Sequence, residues 1–140
     1  MSFENCLHTY FTIGDINEVS VAGLKGVEYL DKVAGGARKQ ETADAILISS
    51  EVDRVYLDTI APVEIHDAKL RRVIRVEKSG SVSTVVWNPW VAKSKAMADF
   101  GDDEFKQMVC VESGNVGLSK LTLAPGKSAA LKVVLSIWMI

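Results

Sequence analysis

The stretch LRRVIRVEKSGSVSTVVW, Leu70 to Trp87, decides the fold class. On either side of its Ser-Gly-Ser turn stand short runs dense in Val, Ile and Trp, too short for architectural helices. Apolar and polar side chains alternate with the period of two that marks a half-buried strand. Leu70–Glu77 and Val82–Trp87 are therefore expected strands. Working outward, the same pattern recurs at Cys6–Thr12, Glu18–Val21, Ala45–Ser49, Val52–Leu57, Val63–Ile65, Phe105–Glu112, Lys120–Leu123 and Ala130–Trp138. Between them lie AGLKG, GG, APV, NPW, FGDD, SGN and APGK, which are turn chemistry at short spacing. Only AKSKAMADF and GDDEFKQM have helical character, for a turn or two each. The expected fold is all-β and antiparallel, packed as a sandwich or a partly closed sheet. No repeat or linker divides residues 1–140, so the chain reads as one unit.

Composition removes several function classes. A length of 140 residues suits one domain, and 48% hydrophobic against 24% charged residues excludes a disordered chain. Sixteen basic residues against eighteen acidic ones, a net charge of -2, argue against nucleic acid as partner, because phosphate binding needs concentrated positive charge. The longest apolar run, AALKVVLSIWMI at Ala129–Ile140, is interrupted by Lys132 and Ser136 and reads as a final buried strand rather than a membrane span. The first residues carry no basic n-region of a secretory signal. Cys6 and Cys110 lack a disulfide framework, which suits free thiols and a cytoplasmic location.

Several side chains could carry chemistry, and each has two readings. In a strand through Cys6–Thr12, Cys6, His8 and Tyr10 share one face and Leu7, Thr9 and Phe11 the other. His8 is then a hydrogen-bonded surface histidine or a general acid. In EVDRVYLD, Asp53 shares a face with Val55 and Leu57; a carboxylate there is a strand-end salt bridge or cap, or it meets a ligand. Met108, Cys110 and Glu112 alternate on one face, with Glu112 at the rim before the Ser-Gly-Asn turn. It is a solvated strand end, or a desolvated carboxylate suited to act as general base. Trp87 in TVVWNPW plugs a core or stacks on a sugar ring. His66 lies in a charged stretch and reads as a surface residue. The basic cluster KLRRVIRVEK is interleaved with Val73, Ile74 and Val76 and reads as a solvated strand face. A zinc site from Cys6, His8, His66 and Cys110 lacks the local CxxC or HxxxH pairs of structural sites, and no metal is expected.

Taken together, LHTYFTIGDI, VAGLKGVEYLDK, EVDRVY, VVWNPWVAKSKAMADFGDDEFKQMVCVESGNV and LAPGKS, in collinear order along essentially the whole chain, resemble the C-terminal half of the glucose-6-phosphate 1-epimerase family. These are hexose-phosphate mutarotases related to aldose 1-epimerase. The resemblance implies a galactose-mutarotase-like β-sandwich, or supersandwich, with a metal-free and cofactor-free site on the concave face of its larger sheet. It implies His8 as the acid that protonates the ring oxygen and Glu112 as the base that takes the anomeric proton. Asp53 would bind sugar hydroxyls, Trp87 would wall the ring, and the substrate would be a hexose 6-phosphate. Family members carry further strands, an arginine and a histidine before this region, so residues 1–140 are expected to be the C-terminal half of such a domain, truncated at the N-terminus. Exposed strand edges and self-association are then expected. The alternative is a non-catalytic carbohydrate-binding or interaction module that keeps the half-sandwich without turnover.

Overall fold

The computed structural model describes residues 1–140. In chain order the strands are β1 (Ser2–Phe3), β2 (Asn5–Leu7), β3 (Tyr10–Thr12), β4 (Val19–Ala22), β5 (Glu28–Asp31), β6 (Ala37–Gln40), β7 (Ala45–Leu47), β8 (Val52–Tyr56), β9 (Val63–Asp67), β10 (Arg72–Ser79), β11 (Ser83–Asn88), β12 (Met108–Asn115), β13 (Leu121–Thr122) and β14 (Lys132–Met139). The one α-helix, α1, spans Trp90–Ala96. A seven-stranded sheet runs β2-β12-β11-β8-β5-β6, with β3 also paired to β12, and a five-stranded sheet runs β14-β10-β9-β4-β7. Strand pairing is antiparallel throughout. The expected all-β antiparallel sandwich is the observed one.

The segment that decides the fold class crosses between the layers. β10 belongs to the five-stranded sheet and β11 to the seven-stranded one, so Ser-Gly-Ser is a passage from sheet to sheet. Gly80 there has φ +69°, and a Cβ would lie 1.8 Å from the Ala130 carbonyl oxygen, so no other residue fits. Between the sheets lies one core, to which Val21, Ile65, Ile74 and Val76 contribute from the smaller sheet and Tyr56, Val86, Val109 and Val111 from the larger. Each such side chain, fully removed from water, stabilises the fold by roughly 1.5–3 kcal/mol before entropy is counted.

Three local expectations of strand and turn are corrected, and one hairpin had no expectation. Cys6–Thr12 is not one strand: Thr9 N–H donates to the Leu7 carbonyl at 3.0 Å, and this tight turn takes His8 out of the ladder between β2 and β3. Ser-Gly-Asn after Glu112 is not a turn but the buried end of β12, because β2 and β11 pair on both sides of it. The C-terminal strand β14 is not buried; it is an edge strand paired only with β10, with Val134, Leu135, Ile137, Trp138 and Met139 exposed. The hairpin β5–β6 has no counterpart in the apolar pattern because its second strand is wholly exposed. The hairpin is held through β5, which pairs with β8 and buries Tyr29, and cross-strand ion pairs add to it, Arg38 to Glu28 at 2.9 Å and Lys39 to Asp31 at 2.7 Å.

The NPW segment does turn. Asn88 is fully buried; its Nδ2 donates to the Phe105 and Met108 carbonyls, and its Oδ1 accepts from Trp90 N–H. That bond fixes Trp90 at φ +56°, which a bulky residue adopts only under such constraint, and launches α1 across the end of the sheet. The basic residues of β10, expected on a solvated strand face, are half-buried and ion-paired instead, Arg75 with Glu64 at 3.1 Å and Arg72 with Asp67 at 3.4 Å, because β10 lies inside the sheet between β14 and β9.

Candidate active site

The face of the larger sheet that points away from the core carries the candidate residues. Register makes the constellation: Val85 lies opposite both Val55 and Glu112, and Trp87 lies opposite both Asp53 and Cys110. Across the edge, Cys110 faces Tyr10 and Gly114 faces Cys6. Val55, Leu57, Val85, Trp87, Met108 and Cys110 form a second apolar cluster that floors this face. Asp53 and Glu112 are carboxylates set into it.

His8 leaves the ladder above Glu112, and its Nε2 lies 3.0 Å from Glu112 Oε1. The two differ in exposure in a way that suits a substrate arriving from solvent: the His8 side chain is 49% exposed and that of Glu112 only 8%. The His8 ring stacks on Tyr10 with centroids 5.0 Å apart, and Trp87 presents its edge to both rings at 6.0 Å. Phe100, from the loop after α1, packs against Trp87 at 6.2 Å. Beside this aromatic group a cavity of about 420 Å³, lined by Tyr10, Thr12, Phe100 and Met108 among others, opens along the sheet.

Burial pushes the Glu112 carboxyl above its ordinary value, and the nearby His8 and the Cys6 hydrogen bond oppose that rise. Burial raises Asp53 likewise, against the attraction of Lys93 and Lys32. Two carboxylates on one apolar floor, each made more basic by desolvation, can accept protons or bind hydroxyl groups. His8 beside one of them can donate.

All four side chains singled out in the sequence therefore lie on this one face. Cys6 and Tyr10 belong to it as well, and their shared parity with His8 was the available signal. Phe100 carried none, since a loop residue shows no periodicity. Of the four residues considered for zinc, His66 stands on β9 of the other sheet, bonded to Glu64 at 3.1 Å, so that set does not assemble. Ligating atoms of His8, Cys110 and Glu112 do lie within 4.8 Å of one another. Burial pushes the Cys110 thiol far up, which opposes the thiolate that a metal would require.

The sequence model described as Aldose 1-epimerase matches residues 1–136. A protein of Cenchrus ciliaris provisionally named glucose-6-phosphate 1-epimerase is 44% identical over 135 residues, which is 96% of this chain and 41% of that protein. A protein of Salmonella typhimurium with the same provisional name is 43% identical over 110 residues, 78% of this chain and 37% of that one. The crystal structure of a provisionally named mutarotase from Salmonella typhimurium superposes with a TM-score of 0.92 at 34% identity, covering all of this chain and 47% of that one. A Synechocystis protein, at 17% identity and a TM-score of 0.68, shares the fold. The chain thus spans about two-fifths of the length of the curated relatives it matches. Its sandwich, the face on which His8 and Glu112 meet, and a match running from Met1 to Ser136 agree: the chain belongs to the aldose 1-epimerase family.

Proposed function

We propose that the chain carries the acid–base pair of a glucose-6-phosphate 1-epimerase and interconverts the α and β anomers of hexose 6-phosphates by opening the ring. The observation that carries this reading is the His8–Glu112 pair at 3.0 Å, an exposed donor against a buried carboxylate. Glu112 takes the proton of the anomeric hydroxyl, the C1–O5 bond breaks with its electron pair going to O5, and His8 gives O5 a proton. The C1 aldehyde rotates, O5 attacks the other face, His8 regains its proton from O5 and Glu112 returns one to O1. Each step moves only protons and one bonding pair, so the chemistry requires no cofactor. Trp87 walls the ring, and residues 1–140 correspond to the C-terminal half of a mutarotase domain. The test is exchange between the anomers of glucose 6-phosphate, followed by NMR with this chain and with Glu112→Gln.

Asp53 binds sugar hydroxyls in this reading, opposite Trp87 in the sheet. Replacing it by Asn keeps the shape and loses the charge. Asp53→Asn should raise KM about tenfold, the worth of a charged hydrogen bond, with a smaller change in kcat. An unchanged KM would remove Asp53 from the substrate site.

The free thiols support a reducing, cytoplasmic setting. No helix is long and apolar enough to cross a membrane. The open edge of β14 supports self-association by antiparallel pairing with a second copy, since the strand's only formal charge is Lys132 and its apolar side chains are exposed. Sedimentation should show a mass that rises with concentration, and Leu135→Lys should hold the chain at monomer mass. A concentration-independent monomer would remove this contact.

A further inference from the structure

The buried Glu112 carboxylate has one partner on each oxygen: His8 on Oε1 and the Cys6 thiol, which donates to Oε2 at 3.3 Å. We propose that Cys6 is a positioning residue, whose thiol holds Oε2 so that Oε1 stays aimed at the anomeric hydroxyl when His8 turns to the ring oxygen. The proposal rests on the acid–base reading above. In that reading His8 cannot stay bonded to Glu112 while it serves O5, so the thiol is the contact that remains through the reaction.

The sheet is built to bring this thiol in. Cys6 on β2 lies directly opposite Gly114 on β12, and Glu112 stands two residues further along the same face. A Cβ at position 114 would lie 2.9 Å from Cys6 Sγ and 2.8 Å from the Asn5 carbonyl oxygen. Only glycine there lets the thiol lean across β12 to the carboxylate. The next rung is pinned as well, because Asn115 Nδ2 donates to Asn5 Oδ1 at 2.9 Å.

The thiol is suited to donate rather than to attack. Burial, and then the hydrogen bond to Glu112, push it up to about 12, so it keeps its proton across the physiological range. The other titratable groups around this pair are His8 from the turn between β2 and β3, Tyr10 on β3, Cys110 on β12 and Asp53 on β8. Lys78, reaching across from the smaller sheet, acts on the thiol with the opposite sign.

The test reads the carboxylate itself. In the chain labelled with 13C at glutamate side-chain carboxyls, the Glu112 signal is identified by its absence in Glu112→Gln and titrated in Cys6→Ala, Cys6→Ser and Gly114→Ala. Losing the donor should move the Glu112 midpoint upward in Cys6→Ala. It should move the same way in Gly114→Ala, where the added methyl displaces a thiol that is still present, and Cys6→Ser, which keeps a donor, should titrate close to the parent. In exchange assays Cys6→Ala should lose about tenfold in kcat with KM little changed, since a base held loosely by a fraction of an ångström reacts more slowly without binding less. A Glu112 midpoint unmoved in Cys6→Ala overturns the proposal, and if that variant does not fold, an unmoved midpoint in Gly114→Ala does so. The titration does not depend on turnover. A shifted midpoint with exchange indifferent to Glu112→Gln would defeat the epimerase reading and leave the thiol contact standing.

Discussion

Glu112→Gln is expected to reduce the chain's acceleration of glucose 6-phosphate anomer exchange by about 10²- to 10⁴-fold, the range that a positioned general base supplies. Glutamine matches the shape of glutamate and keeps an oxygen near His8, so the loss isolates proton acceptance. The pH dependence has a definite sign. Glu112 must be ionised to take the proton, and burial holds its carboxyl above the ordinary carboxylate range, so kcat/KM should fall on the acid side at a higher pH than an exposed glutamate would give. His8→Asn should lose activity comparably, because it removes the side chain beside Glu112 that gives O5 its proton. Stability separates these losses from unfolding. A carboxyl whose folded-state pKa is raised favours the fold when protonated, and that contribution disappears as pH rises through the folded value. Glu112→Gln removes the cost of an ionised buried carboxylate, so at neutral pH it should unfold no earlier than the parent. A variant that retained half of the parent's exchange rate would sink the assignment of Glu112 as base.

The second large effect is on stability, at a site with no part in the chemistry. Glu41, in the loop after β6, is 6% exposed. Its Oε2 accepts from Arg54 Nη1 at 2.9 Å and from Tyr56 OH at 2.7 Å, while Oε1 accepts from Ala43 N–H. Tyr56 is completely buried, and Arg54 lies over the Tyr29 ring, 4.9 Å from its centroid. Glu41→Ala would leave a guanidinium and a phenol hydroxyl in the core margin without an acceptor. Breaking one partner of a buried pair costs about 3–5 kcal/mol, a large share of a small domain's stability. Urea denaturation should show that loss, and a change below about 1 kcal/mol would mean that water takes over the carboxylate's role.

The strands read from alternation recur in the fold within a few residues, because period two is a local property of the backbone. The exceptions have physical causes. β5 is held by its pairing with β8 and by the buried Tyr29, while β6 is wholly exposed, so the hairpin carries no apolar alternation. Ser113–Asn115 reads as a turn by composition, yet neighbouring strands on both sides supply its backbone partners and make it strand. β14 looks buried by hydropathy, but burial depends on what lies opposite, and nothing in this chain covers it.

By itself the sequence determined which side chains share a face within an unbroken strand, Asp53 with Val55 and Leu57, Met108 with Cys110 and Glu112; Cys6, His8 and Tyr10 share one too, although a turn at His8 interrupts the strand that parity assumed. Parity along a strand needs no knowledge of the rest of the chain. Only the tertiary structure decided that these faces are one face, with Trp87 set between Asp53 and Cys110 and with Cys6 reaching a carboxylate 106 residues away. Strand order and register come from closing long loops around a shared core, and that choice is made by the packing of all strands at once.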